Sequence, residues 1–364
     1  MPDAPEPEAI IDPELPIIDP HHHLWFYPRS ALDALGHQES LMAQALLPAF
    51  RDKSRYLFDE FLADLDSGHH IRATVYVQVG SMYRRTGPAQ LRSVGEVEFV
   101  NGMAAIAASG VFTDIAMCAG IVGSADLRMG DAVRAVLEAH IQAGGGRYRG
   151  IRASHVVHDP HPAVLGAALN GVPHLHLDPE FRAGYRHLES LGLSYDAWQL
   201  EYQLAELLDL VRAFPATQVI VNHLGGLYGI GPYEGRRQER FAAWHANIRA
   251  LAACPNVAMK LGGLGMPTCG LSSRRTGRPP ASQQLAEDWR PYIECCIEAF
   301  GADRCMFESN FPVDFATAPY AVIWNAFKRI ASGASAGERA ALFGGTAARV
   351  YRLDIQPIRS RLME

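Results

Sequence analysis

The stretch IIDPHHHLW, residues 17–25, sets three histidines directly behind an apolar run and an aspartate. Side chains alternate along a strand, so Asp19, His21 and His23 are expected on one face and His22 on the other, packed between strand and helices. Two positions along a strand are roughly 6.6 Å apart. From there two imidazoles can converge on one carbonyl oxygen, or on one metal ion, which a neutral imidazole binds at roughly 2.0–2.1 Å in the case of zinc. Arg152, near the end of YRGIRAS (148–154), offers a two-pronged donor for a carboxylate, so it reads as substrate-binding. Gln78, at the end of RATVYVQV (72–79), and Trp198, at the end of GLSYDAW (192–198), are weaker substrate-binding candidates, Trp198 being equally a core residue. Lys260 in NVAMKLGG reads either as a substrate contact or as half of a structural salt bridge. Arg274, Arg275 and Arg278 in SSRRTGRPP form either a solvated basic loop or a lid that attracts an acidic substrate.

Strands must hold these residues. Eight short β-type runs occur: LPIIDPH (15–21), RATVYVQV (72–79), DIAMCAGIVG (114–123), YRGIRAS (148–154), GLSYDAW (192–198), TQVIVNH (217–223), NVAMKLGG (256–263) and RCMFESN (304–310). Helical patterns separate them, several ending in Gly or Pro as helix stops do. Eight strand–helix units in series predict parallel connections that close into a (β/α)8 TIM barrel. The doubly wound open sheet is the alternative, and the missing glycine-rich loop after the first strand weakens it. In a barrel the βα loops emerge on one face, where active sites sit. The long ones here, 24–55, 155–191, 224–240 and 262–285, are expected to form a lid over that mouth. Val219, Val221 and His223 share parity, which predicts His223 at the same mouth as His21 and His23. The loop 155–191 carries His155, His158, His161, His174, His176 and His187; their irregular spacing favours surface or pocket-lining roles over a second metal site.

Composition narrows the class. The chain has 364 residues, 48% of them apolar, enough for a large core. Its formal charge of -6 gives no basic surface for nucleic acid. No apolar run is long enough for a membrane span. The acidic, proline-rich start lacks the features of a signal peptide, and the six scattered cysteines form no CxxC pair and read as small buried hydrophobes in a reducing cytoplasm. The expectation is one barrel domain over 15–355, between a flexible or wrapping tail (1–14) and a short C-terminal tail (356–364), with homo-oligomerisation open.

DPHHH resembles the HxH signature of the amidohydrolase-related family of TIM-barrel hydrolases. RGIRAS, YDAWQL, VNHLGG, NVAMKLGGLG and RCMFESNFPVD follow in the family's order, so the resemblance covers about residues 15–353. The nearest branch is similar to lactonases of sugar lactones and of pyrone or muconolactone-type compounds, and the wider family includes aromatic-acid decarboxylases. The resemblance implies that His223 polarises a substrate carbonyl or activates water. It also implies an aspartate on strand eight as metal ligand and general base, and there this chain has Asn310, whose neutral amide accepts no proton. Three readings follow: Asn310 orients substrate or water, Glu308 supplies the carboxylate, or Asp314 curls back over the mouth to do so; the reading leans to Glu308 or Asp314 as base. The family's strand-five histidine is absent too; Glu201 stands nearby as a metal ligand or as the first residue of the next helix. The expected metal set is therefore His21, His23 and Glu201 around one zinc or manganese ion, with metal-independent catalysis left open. The expected function is opening of a small lactone bearing a carboxylate or hydroxyls. The alternatives are a metal-dependent decarboxylase of an aromatic acid, hydrolysis of an amide or other ester, and a barrel that only binds a ligand.

Overall fold

The structure, a computed structural model, describes residues 8–271 and 279–355. Arg274, Arg275 and Arg278 and the tail 356–364 lie outside them. Eight strands form the sheet: β1 (Ile17–His22), β2 (Ile71–Val77), β3 (Ala116–Gly123), β4 (Tyr148–Ile151), β5 (Ser194–Ala197), β6 (Val219–Val221), β7 (Val257–Leu261) and β8 (Cys305–Phe307). Each pairs in parallel with its neighbour in chain order. Helices on the outside connect them, giving the (β/α)8 barrel expected. The seam between β1 and β8 closes just above the strands, where His23 N donates to the Phe311 carbonyl (2.8 Å) and Asn310 N to the His21 carbonyl (3.0 Å).

The strands are apolar on both faces because both are covered. Inward residues Ile18, Ala73, Val75, Val77, Val122, Ile220, Ala258 and Met306 pack with Ala347, Val350 and Tyr351 from the C-terminal segment and fill the barrel floor. Outward residues such as Ile17, Tyr76, Ile121, Val219, Val221, Met259 and Phe307 join the larger core under the helices. Above the floor the interior turns polar: Arg152, Asp196, Lys260 and Glu308 are all buried there. Charges this dry persist only when paired, and their pairing defines the site.

The loop after β1 carries two helices, Arg29–Gly36 and Leu41–Asp52, the second capped by Ser40 Oγ accepting from Ala43 N (3.1 Å). It also forms a two-stranded ribbon, Trp25–Phe26 with Arg55–Tyr56. The loop after β4 folds into short helices at Pro162–Leu169, Pro179–Tyr185 and His187–Ser190. Residues 8–12 wrap rather than hang free. Glu8 accepts from Ser282 N (2.7 Å), and Lys328 Nζ donates to the Ile11 and Asp12 carbonyls (2.8 Å each). None of the six cysteines is in a disulfide, and among the described residues no helix is long and apolar enough to cross a membrane.

Candidate active site

Strict alternation does not deliver the key side chains. In β1 the register against β2 shifts between Asp19 and His22, at Pro20, which has no N–H for the ladder. His21 therefore points into the barrel while Asp19 turns away from it, correcting the expectation that the two share a face. The Asp19 carboxylate instead accepts from Ser309 Oγ (2.6 Å), Ser309 N (3.1 Å) and Tyr320 Oη (3.1 Å), staking β1 to the β8 loop. Burial pushes its pKa up to about 6. His22 packs outward, stacked on Phe61 with ring centroids 4.1 Å apart, as expected.

In β6 the inward residue is Ile220, so parity alone would send His223 out toward the helices. A left-handed backbone at His223 (φ 54°) and Leu224 (φ 52°) turns it into the mouth instead. Such conformations cost roughly 1–3 kcal/mol for a non-glycine residue. Here His223 N (3.1 Å) and Nδ1 (2.7 Å) both donate to Glu308 Oε1. Gly263 makes room: a Cβ there would lie 2.3 Å from His223 Nδ1.

Glu308 is the centre. It is fully buried, bonded to His223 through Oε1, and has His21 Nδ1 2.6 Å from Oε2. That second approach lacks hydrogen-bonding alignment, and Oε2 remains a buried oxygen without a hydrogen-bond partner. A carboxylate only accepts, so His223 carries its proton on Nδ1 and presents a bare Nε2. His23 does likewise, its Nδ1 donating to the Val77 carbonyl (2.7 Å). The His21 ring lies 5.0 Å from that of His23 and 4.6 Å from that of His223. Burial holds both His21 and His23 well below the ordinary imidazole pKa, helped by Lys260 beside His21 and Arg152 beside His23. They are neutral rings at physiological pH.

Arg152 reaches the same point from β4. Its guanidinium lies 3.3 Å from His21 Nε2, donates to the Gln78 carbonyl and covers the Trp198 ring at 5.2 Å. Its Nε–H is buried without an acceptor. Gln78 thus touches Arg152 through its backbone, and Trp198 through its ring. Lys260 Nζ sits 2.9 Å from Asp196 Oδ1, 3.2 Å from His21 Nδ1 and 3.9 Å from Glu308 Oε2. Sequence reasoning passed over Asp196 and its partners Asn222 Nδ2 (3.0 Å) and Tyr351 Oη (2.7 Å). The signal was present: Asp196 is two residues from Trp198 on the same inward face.

The other acidic candidates stand apart. Asp314 does curl back, but as an anchor. It accepts from Asn310 Nδ2 (2.7 Å) and Gly265 N (2.9 Å), and burial drives its pKa well above the usual carboxylate range, favouring the protonated acid. Asn310, itself left-handed (φ 51°), spends its amide on that bond. Glu201 is not at the His21–Glu308 cluster. It pairs with Arg240 (2.5 Å) in a separate small cleft lined also by Tyr228, Arg237, Cys269 and Tyr292. The lid histidines do not converge: His174 bonds Glu206, His176 bonds Tyr195 and His187 bonds Asp131.

Burial raises the Glu201 pKa from 4.5 to about 7 against the pull of Arg240. A carboxyl raised on folding gives its full contribution below about 4.5 and loses it as pH climbs to about 7, a difference of up to about 3 kcal/mol. Glu201→Gln is therefore expected to flatten the fall in Tm between pH 5 and pH 7.5, read by thermal melts across that range. An unchanged fall would refute it.

Among the described residues one group could hold a metal ion: His21, His223 and Glu308, whose donor atoms lie within 4.8 Å of one another. Two imidazoles and one carboxylate are a donor set that zinc accepts, and the unpartnered Glu308 Oε2 fits a ligand role. Glu201 is paired with Arg240 and is not in this group, and His23 is not in it either, although its Nδ1 bond to Val77 leaves its Nε2 bare.

A parallel barrel with histidines, a carboxylate and an arginine gathered at the C-terminal ends of its strands defines a hydrolase of the amidohydrolase type. The comparisons agree, and the chain belongs to the amidohydrolase family, whose profile matches residues 18–353. It is 37% identical over 93% of its length to an uncharacterised protein, y4mH, of Sinorhizobium fredii, covering 99% of that protein. It is 29% identical to an L-fucono-1,5-lactonase of Burkholderia multivorans, over 95% of this chain and 98% of the relative. A crystal structure of an amidohydrolase from Burkholderia multivorans with bound zinc superposes with a TM-score of 0.68 at 27% identity, over 93% of this chain and 99% of that one. These relationships make the protein an enzyme, a hydrolase, and suggest a divalent metal at its site.

Proposed function

We propose that the protein opens a small lactone bearing a carboxylate or hydroxyl groups. The observation that carries this reading is the hydrogen bond from His223 Nδ1 to Glu308, which leaves His223 Nε2 bare as a proton acceptor. Water bound against Nε2 gives up its proton as its oxygen attacks the lactone carbonyl carbon. Negative charge collects on the carbonyl oxygen, and the unsatisfied Arg152 Nε–H is the donor placed to receive it. Collapse breaks the ring carbon–oxygen bond, and His223 returns the proton to the departing ring oxygen, releasing a hydroxy acid. His23 Nε2 accepts from a substrate hydroxyl, and Trp198 walls the pocket. A lactone is a more reactive electrophile than an amide, which suits a site whose general base is an imidazole. The similarity to a fuconolactonase supports this substrate class.

His21, His223 and Glu308 are the residues that would hold a zinc or manganese ion, and such an ion would supply Lewis-acid polarisation of the carbonyl. We take the working setting to be the cytoplasm and the partner to be the small-molecule substrate, with neither nucleic acid nor membrane involved and self-association open.

The test is a panel of sugar-acid lactones and of carboxylated unsaturated lactones, with acid release followed by pH-stat and products by mass spectrometry. Ring-opened acid from at least one lactone is expected. Acid from none, with carbon dioxide released from hydroxybenzoates, would overturn the reading in favour of a decarboxylase.

A further inference from the structure

We propose that Lys260 decides which cation the site accepts: its ammonium already lies beside the donors that a divalent ion would use, and so makes the site a weak metal binder. This rests on the assignment of His21, His223 and Glu308 as the metal-holding group.

The position of Lys260 is fixed. It rises from the inward face of β7 and is fully buried. Its Nζ is within 3.2 Å of His21 Nδ1 and 3.9 Å of Glu308 Oε2, on two of the three residues in question. It cannot swing aside without abandoning Asp196 at 2.9 Å, and Asp196 is itself tied to Asn222 and Tyr351. The Tyr351 ring lies 5.3 Å from the ammonium. Mobile salt does not enter so buried a place, so little screens one charge from another.

Charge balance points the same way. Two buried cations, Lys260 and Arg152, already face the carboxylates Asp196 and Glu308, and Glu96 acts on Arg152 as well. A divalent ion among these donors would add two positive charges close to an ammonium that has nowhere to go. Repulsion between charges this near is strong in a medium less polar than water. Lys260 thus supplies internally the positive charge that otherwise falls to a metal.

The experiment is zinc affinity, measured by competition with a chromogenic chelator on protein purified without a metal-affinity tag. Wild type is compared with Lys260→Gln, which removes the charge but keeps a donor for Asp196, and with Lys260→Arg, which keeps the charge. Zinc should bind Lys260→Gln at least about a hundredfold more tightly than wild type, and Lys260→Arg should stay as weak as wild type. Adding Glu308→Gln to Lys260→Gln should abolish the gain, which locates the ion. Equal or weaker binding by Lys260→Gln would overturn the proposal, as would a gain that survives loss of Glu308. Tight stoichiometric zinc on the wild-type protein would overturn it without any variant, should Lys260→Gln fail to fold. Lactone turnover is assayed separately, so failure of the lactonase reading leaves the zinc result intact, and the converse holds.

Discussion

Glu308→Gln is expected to lower kcat/KM for a lactone substrate by about 10³-fold or more, a loss typical of a mis-set general base, with a folded protein and a Tm within a few degrees of wild type. The carboxylate faces His223 Nδ1 with one oxygen and His21 Nδ1 with the other. A glutamine has one oxygen and one NH₂, and either orientation disturbs the site. With the NH₂ toward His223, that ring must move its proton to Nε2 or turn away, and Nε2 no longer accepts a proton from water. With the oxygen toward His223, the NH₂ replaces the anionic oxygen that faces His21 and the Lys260 ammonium. The loss should fall on kcat, because the carboxylate is fully buried and works through the rings. Steady-state kinetics beside a thermal melt decide it, and wild-type kcat in a folded variant would sink the assignment.

Arg152→Lys is expected to cost about a hundredfold in kcat/KM despite keeping the charge. Lysine lacks the fork that lets one guanidinium reach the Gln78 carbonyl, His21 Nε2 and the Trp198 face while leaving Nε–H free. If Nε–H meets the developing oxyanion, the loss appears in kcat. If the arginine only docks a substrate carboxylate, it appears in KM, and a lactone without a carboxylate is then processed equally well by both proteins. That second pattern would remove Arg152 from the chemical step.

The barrel was legible because its signals are local and repeated: apolar runs at regular intervals, with helix stops between them. The face that each site residue occupies was less so. His21 and His23 reach the mouth as expected, but through a register shift at Pro20 that resets the count and turns Asp19 away. His223 reaches the mouth against the alternation, on a left-handed turn that no periodicity encodes. Glu308 was one of three readings at strand eight, and only its distances to two histidines set it apart from Asp314. Glu201 looked like a ligand because it lies soon after β5 in sequence; what fixes its place is Arg240, far along the chain. The Lys260–Asp196–Tyr351 chain joins residues up to 155 positions apart, a separation that spacing cannot reveal.

The closure of the barrel has a consequence for how the enzyme fails. β1 and β8 meet at the mouth, through backbone atoms of residues 21, 23, 310 and 311 and through the Asp19–Ser309 contact. The residues that fasten this cylinder include the histidines that work in it. A crevice a few ångströms wide along that line would leave the other seven strand pairings standing and the circular dichroism unchanged, yet part His21 and His23 from Glu308. Gentle heating should therefore silence the enzyme some degrees before it melts, and rapid cooling should restore it. Inactivation that tracks unfolding degree for degree would show the fastening to be as firm as the rest of the wall.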